Sequence, residues 1–145
     1  GYSDISVLDL SAVALEKAQS RLGEKALSVR WLVTDILEVG LPENSIDLWH
    51  DRAVFHFLIS KAERQTYVKQ ALSAVKPSGL LIVATFAEDG PEKCSGLPVK
   101  RYSTSALHAE FGELFELLGS VPERHFTPAG NEQKFVYCIF RRSGQ

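Results

Sequence analysis

The 145-residue sequence contains no methionine and only two cysteines, Cys94 and Cys138. Two isolated cysteines are too few for a disulfide framework, which predicts a reducing, cytoplasmic setting. No apolar run approaches the roughly 20 residues that cross a bilayer, so we expect no membrane partner. The composition therefore argues against a disulfide-rich secreted domain and against a protein embedded in a membrane.

A surplus of one charge is also lacking, since the formal net charge is -2 and the sequence pI is about 6.1. Lysine and arginine are scattered along the chain, whereas nucleic-acid binding needs clustered positive charge. The four histidines, His50, His56, His108 and His125, show no metal-ligand spacing with the cysteines. We therefore expect neither a nucleic-acid partner nor a metal site.

Two motifs of common enzymes are absent from the sequence. It has no G-x-S-x-G turn, which holds the nucleophile of many serine hydrolases, and no G-x-x-x-x-G-K-[ST] phosphate loop. The commonest hydrolase and nucleoside triphosphatase functions are therefore disfavoured.

Strand-like and helix-like hydrophobic periods alternate along the chain. Apolar runs predict strands at ISVLDL (5–10), SVRWLV (28–33), IDLWHD (46–51) and LLIVATF (80–86). Helices are predicted after Ser11, after the Ser60–Glu63 capping box as far as Lys76, and after Ser103, while segments around the turn TPAGNE predict an antiparallel hairpin. The alternation predicts an α/β fold with a Rossmann-like, mostly parallel sheet in one domain, residues 1–145.

Polar residues follow the predicted strands, where α/β sheets bind their ligands. Asp9, with Leu10 after it, can accept hydrogen bonds from both hydroxyls of a ribose, or it can simply provide negative charge at the N-terminus of the next helix. Asp35 can accept a hydrogen bond from the amine of an adenine while Ile36 packs on the ring. Alternatively, Asp35 simply opens an Asx turn.

In this order and spacing, the segments resemble class I S-adenosylmethionine-dependent methyltransferases. The resemblance rests on VLDLS (7–11), VTDI (33–36), IDLWHDRAVFHFL (46–58), VKPSG (75–79) and the closing hairpin. It implies methyl transfer from S-adenosylmethionine to a small-molecule or protein acceptor that the sequence does not identify. It also implies cofactor binding by Asp9 and Leu10 at the ribose, Asp35 and Ile36 at the adenine, and His50, Asp51 and Arg52 beside the methionine portion.

The same family begins with a strand and a glycine-rich turn that approaches the methionine end of the cofactor. Residues 1–6, GYSDIS, provide no such turn. We therefore expect the chain to be the C-terminal portion of a methyltransferase domain, with the first strand and helix missing, and to bind the cofactor weakly. The strands at 5–10 and 46–51 should then each lack a neighbour, and open edges predict self-association.

Two histidines are candidates for a catalytic general base if the acceptor must lose a proton, namely His50 and His56. His56, within VFHFL, is alternatively a packing residue. Residues 87–101 are rich in glycine and proline and are long enough for a substrate lid, or they form a mobile connector.

Three classes of function remain open from the residues. The first is a methyltransferase, which is favoured by Asp35, the VKPSG segment and the predicted C-terminal antiparallel hairpin. The second is a nicotinamide-dependent oxidoreductase, because an acid after the second strand also binds the ribose of that cofactor. The third is a non-catalytic binding module derived from a methyltransferase domain.

Overall fold

A computed structural model describes residues 1–144 of the chain. In chain order, its elements are β1 (Ile5–Asp9), α1 (Ala12–Leu22), β2 (Val29–Val33), β3 (Ile46–Arg52), α2 (Lys61–Ala74), β4 (Val75–Phe86), β5 (Lys93–Cys94), β6 (Leu97–Pro98), α3 (Thr104–Phe111), β7 (Phe115–Phe126) and β8 (Glu132–Arg142). Short 3-10 helices occupy Gly23–Ser28 and Phe55–Phe57. The chain divides into two compact units, residues 1–40 and the residues from 41 onward.

The first unit is a strand, a helix and a second strand. Strands β1 and β2 pair in parallel over their whole lengths, and α1 connects them. The Ser11 hydroxyl caps α1 by accepting a hydrogen bond from the Ala14 amide at 3.1 Å, as the sequence predicts. Gly23 ends the helix with a φ of 59°, a conformation that glycine adopts without strain.

The second unit contains a four-stranded sheet in the order β3-β4-β8-β7. The β3/β4 pair is parallel, whereas β4/β8 and β7/β8 are antiparallel. The predicted Rossmann-like sheet with a C-terminal antiparallel hairpin is therefore confirmed. Within the described residues, β1 pairs with β2 alone and β3 pairs with β4 alone, so each has one unpaired edge.

Strand β4 begins at Val75, whereas the sequence predicted a strand only from Leu80. Val75 pairs with Ile46, and regular pairing resumes at Leu80 and Leu48. Between these pairs Pro77 has no amide proton to donate, and Ser78 has a φ of 65°. The segment that ends α2 is thus also an irregular first part of the following strand.

The start of α2 differs in detail from the predicted capping box. Ser60 occupies the N-cap position, but its side chain makes no capping hydrogen bond. The buried face of α2 includes Arg64, whose guanidinium donates to Glu110 of α3 at 2.9 Å and to the Ile59 carbonyl at 2.6 Å. This largely buried cation is acceptable because charged and carbonyl oxygens surround it.

The core of the second unit is an aromatic cluster centred on Phe55, which has no exposed surface. Its ring centroid lies 4.9 Å from that of Tyr67, 5.2 Å from that of Phe111 and 5.8 Å from that of Tyr102. These edge and tilted arrangements are favourable for aromatic pairs. The cluster joins the turn after β3 to α2 and α3.

Residues 87–101 form an ordered loop that contains the small β5/β6 hairpin. Cys94 and Val99 pack against the buried side chains of Ala84 and Phe86. Backbone hydrogen bonds from Lys100 to the His56 carbonyl (2.8 Å) and from Tyr102 to the Phe86 carbonyl (3.0 Å) tie the end of the loop to the sheet. The loop is therefore part of the packed structure.

Among residues 1–144, none of the helices combines the length and the hydropathy that crossing a membrane requires.

Glycine is required at position 79, where the irregular start of β4 passes close to other backbone atoms. A Cβ at Gly79 would lie 2.8 Å from the Lys76 carbonyl oxygen, whereas a Cβ at Gly119 in β7 would meet nothing within 4 Å. We predict that Gly79→Ala lowers the free energy of unfolding by about 1 to 3 kcal/mol, the usual range for overpacking. Gly119→Ala is the control, and urea denaturation that shows equal small effects for both would contradict the prediction.

Candidate functional site

The carboxylate of Asp9 lies at the carboxyl end of β1. One of its oxygens accepts a hydrogen bond from the Ser11 amide at 2.8 Å. The other makes no hydrogen bond within the described residues, and the residue is exposed. Asp9 thus supports the start of α1 and still has an oxygen available to accept from a ligand hydroxyl.

Asp35 follows β2, next to Asp9. The Thr34 amide donates to the Asp9 carbonyl at 3.1 Å, which joins the two strand ends. One Asp35 oxygen accepts from the Leu37 amide at 2.8 Å in an Asx-type turn. Ile36 is half-buried and Leu10 is 71% exposed. At these adjoining strand ends, Asp9 and Asp35 thus each have one carboxylate oxygen that the described residues do not use.

His50 and Arg52 share one face of β3, and Asp51 points to the opposite face. This follows from the alternation of side chains along a strand, and burial agrees with it, because His50 and Arg52 are exposed whereas Asp51 is 5% exposed. The structure therefore brings His50 and Arg52 together at the end of β3 and separates them from the Asp51 carboxylate.

The guanidinium of Arg52 reaches across the sheet to the β7/β8 hairpin. Its Nε donates to the Tyr137 hydroxyl at 2.9 Å, one of its terminal nitrogens lies 3.5 Å from the Glu123 carboxylate, and its central carbon lies 4.3 Å from the Phe135 ring centroid. Between these strands lies Ala84, which pairs with Arg52 on one side and with Tyr137 on the other. The small side chain of Ala84 leaves room for the arginine to cross.

Asp51 has all of its hydrogen bonds inside the protein. Its carboxylate accepts from the Val54 amide at 3.0 Å, the Phe55 amide at 3.1 Å and the Tyr67 hydroxyl at 2.5 Å. Burial raises the pKa of the Asp51 carboxyl, although these donors and the charge of His50 oppose the increase. The structure thus favours a supporting role for Asp51 over direct contact between its carboxylate and a cofactor.

His56 has no exposed surface. Its Nδ1 accepts a hydrogen bond from the Phe86 amide at 3.1 Å, so the ring proton is on Nε2, which has no partner within the described residues. Burial lowers its pKa to about 4. A neutral, enclosed imidazole that packs between Phe57 and Phe86 favours the packing role of His56 over that of a catalytic base.

Sequence reasoning missed the partners of these residues. Tyr67, Tyr137 and Glu123 are not among the site candidates that the sequence indicates. The alternation within IDLWHDR did contain a signal, because it places Trp49 and Asp51 on the face opposite His50. A buried aspartate needs donors, and a tyrosine on a helix that packs on that face is a suitable one.

Within residues 1–144, no group of three or more histidine, cysteine, aspartate or glutamate side chains is arranged to hold a metal ion.

The comparisons with known proteins identify the class to which this arrangement belongs. The methyltransferase domain family matches residues 1–79, more than half of the chain. The chain therefore belongs to this family and has the fold of class I methyltransferases, as the sequence motifs indicated. A search among curated proteins finds no significant match.

Many solved structures share the fold. The N-methyltransferase NodS from Bradyrhizobium japonicum has a TM-score of 0.76 and 16% identity, over 97% of this chain and 74% of NodS. A methyltransferase from Methanosarcina mazei has a TM-score of 0.76 and 12% identity, over 98% and 83%. The 1,6-didemethyltoxoflavin N1-methyltransferase from Burkholderia thailandensis, solved with bound 1,6-didemethyltoxoflavin and S-adenosylhomocysteine, has a TM-score of 0.68 and 18% identity, over 95% of this chain and 60% of that protein.

The lowered pKa of His56 predicts a pH-dependent stability. The unfolded chain binds a proton at the ordinary histidine pKa of 6.5, whereas the folded chain does so only at about 4. Stability is thus fully present above pH 6.5 and falls as the pH decreases toward 4, by at most about 1.4 kcal/mol per pH unit from this group.

We expect His56→Asn to remove this component of the pH dependence. His125→Asn, which alters a less buried histidine, should retain it. The measurement is urea denaturation at pH 7.5, 6.5 and 5.5. The same pH dependence in wild type and His56→Asn would show that His56 is not held neutral.

Proposed function

We propose that the chain is an S-adenosylmethionine-dependent methyltransferase domain that acts on a small-molecule or protein acceptor. The observation that carries the proposal is the pair of carboxylates at the adjoining ends of β1 and β2, each with one oxygen not used by the described residues. Ligands of parallel α/β sheets bind at such strand ends. Membership of the methyltransferase family supports the same choice.

In this proposal, the first unit binds the nucleoside. Asp9 accepts hydrogen bonds from the ribose hydroxyls, and the exposed side chain of Leu10 covers the sugar. Asp35 accepts a hydrogen bond from the exocyclic amine of the adenine, and Ile36 packs on the adenine ring. The Asx-type turn at Asp35 is compatible with this role because it uses only one carboxylate oxygen.

The end of β3 is proposed to border the methionine portion. His50 and Arg52 lie there on the same face. The Asp51 carboxylate contributes by holding the turn after β3 and not by contacting the cofactor. His50 is the proposed base for an acceptor that must lose a proton, because its side chain is exposed whereas that of His56 is enclosed.

When bound, S-adenosylmethionine supplies an electrophilic methyl group on a sulfonium. The residues of the chain bind the donor, align it with the acceptor and exclude water. Arg52 is held by Tyr137, Glu123 and Phe135, so its role is to fix the border of the site.

Neither alternative class of function receives comparable support. The family match and the solved structures above are methyltransferases, and nothing in them favours a nicotinamide-dependent oxidoreductase. A non-catalytic binding module would keep the fold and lose turnover. We propose that the two units serve one methyltransferase-like domain, and that the two free thiols, Cys94 and Cys138, reflect a reducing, cytoplasmic setting.

Asp9→Ala tests the ribose contact. We expect it to weaken S-adenosylmethionine binding by about 1 to 3 kcal/mol, the cost of losing a hydrogen bond to a charged group. Asp4→Ala is the control, because Asp4 is also an exposed aspartate but precedes the same strand at its opposite end. Titration calorimetry that gives equal affinities for the two variants would remove Asp9 from the site.

The same titrations with adenosine examine Asp35. Asp35→Ala should weaken the binding of adenosine and of S-adenosylmethionine by similar factors, because its proposed contact is with the base.

The unpaired edges of β1 and β3 lead to a proposal of self-association. Exposed apolar side chains in residues 1–40 strengthen it; they are Tyr2, Ile5, Leu10, Val13, Leu22, Leu27 and Val33. We predict that sedimentation velocity shows assembly that increases with concentration and that Ile5→Lys, on β1, reduces it. Ile59→Lys, outside the strands, is the control, and a monomer at all concentrations would contradict the proposal.

A further inference from the structure

A line of buried polar side chains connects α2 to the turn that follows β3. The Trp49 indole nitrogen donates to the Tyr67 hydroxyl at 3.0 Å, and that hydroxyl lies 2.5 Å from an Asp51 carboxylate oxygen. The carboxylate in turn accepts from the amides of Val54 and Phe55. Two strand residues, one helix residue and two turn amides thus form one hydrogen-bonded set.

The direction of each hydrogen bond in this set is determined by chemistry. The indole nitrogen of Trp49 can only donate, so the Tyr67 oxygen must accept from it. The single hydroxyl proton of Tyr67 is then left for Asp51. Trp49 therefore orients the hydroxyl, and the hydroxyl is a dedicated donor to the carboxylate.

The turn that the carboxylate holds is not a relaxed one. Ala53 has a φ of 66°, a backbone conformation that residues other than glycine rarely adopt. Its amide donates to the Ala84 carbonyl at 2.9 Å. Directly after it, the amides of Val54 and Phe55 converge on Asp51. Strained backbone of this kind persists only when surrounding contacts fix it.

We propose that Tyr67 is a positioning residue, which acts through Asp51 to hold the turn from Ala53 to Phe57 and thereby the end of β3 at the methyl-transfer site. The inference rests on the proposed function, because it takes the end of β3 to border the cofactor. Tyr67 itself is 1% exposed, so its hydroxyl is enclosed within the protein. Its effect on the site is transmitted by the carboxylate and the two amides.

The environment of Asp51 indicates how the loss of Tyr67 would be detected. Two titratable groups act on it: Tyr67 from α2 through a hydrogen bond, and His50, on the other face of β3, through its charge. Its neighbour in β4 is the apolar Val83. Burial raises the pKa of Asp51, and the Tyr67 hydroxyl is the first of the groups that lower it. Removing that hydroxyl should therefore move the titration of Asp51 to higher pH.

The chain offers a matched pair of variants, Tyr67→Phe and Tyr102→Phe. Each removes one hydroxyl from a tyrosine that is 1% exposed, and both rings contact Phe55. The Tyr102 hydroxyl has no hydrogen-bond partner within the described residues, whereas the Tyr67 hydroxyl has two. The comparison separates loss of the donor to Asp51 from loss of a buried oxygen.

The experiment records the amide resonances of Val54 and Phe55 in the full chain as a function of pH, together with titrations of S-adenosylmethionine. For Tyr67→Phe we expect a higher pH midpoint of the amide shifts and a loss of cofactor affinity of about fivefold to tenfold. Tyr102→Phe should match the wild type in both. If Tyr67→Phe does not fold, Trp49→Phe should shift the midpoint in the same direction by a smaller amount, because it frees the hydroxyl to rotate.

Each outcome has a defined meaning. Equal midpoints in all variants would overturn the proposal, because Tyr67 would then not act on Asp51. A shifted midpoint with unchanged cofactor affinity would overturn it too, since the turn would not serve the site. A wild-type chain that binds no S-adenosylmethionine at millimolar concentration would refute the proposed function instead, and the amide midpoints would still decide whether Tyr67 fixes the turn.

Discussion

The buried carboxylate of Asp51 is the constraint on which the centre of the second unit depends. A carboxylate in a protein interior is strongly unfavourable unless several donors satisfy it. Here the donors come from α2 and from the backbone after β3, so the strand, the helix and the turn are arranged around one group. The same turn delivers Phe55 to the aromatic cluster, which joins α2 to α3. Asp51 thereby connects the buried hydrogen bonds of this unit with its aromatic core.

Local signals in the sequence predicted most of the fold. Alternating periods identified the strands, and the caps at Ser11 and Ser103 formed as expected because they depend only on neighbouring backbone amides. The start of β4 was missed for a physical reason. Pro77 and Ser78 are typical of a loop, and Ser78 has a left-handed backbone conformation. Val75 nevertheless pairs with Ile46 on the adjacent strand. Pairing of that kind is a tertiary contact, which overrides local preference.

The candidate site was predictable only where its chemistry is local. Asp9 and Asp35 directly follow strands, and their positions came from sequence order. Tyr67 is 16 residues from Asp51, and only the packing of α2 on the sheet brings their side chains together. Strand alternation would have separated His50 from Asp51, but it could not have shown that Arg52 turns toward Tyr137, 85 residues later. The partners that such a side chain contacts depend on the order of the strands in the sheet, which the sequence does not reveal locally.

The position of β8 between β4 and β7 has a consequence for how the chain folds. Strand β8 follows both of its neighbours in the sequence, so during synthesis β4 and β7 must wait for a segment made after them. Until residues 132–142 leave the ribosome, the apolar strand β4 has only β3 as a neighbour. Non-local pairing of this kind slows folding and lengthens the time in which a partly folded intermediate with unpaired strand edges can aggregate. The edge of β4 that later pairs with β8 therefore stays unpaired for as long as residues 87–142 take to be synthesised.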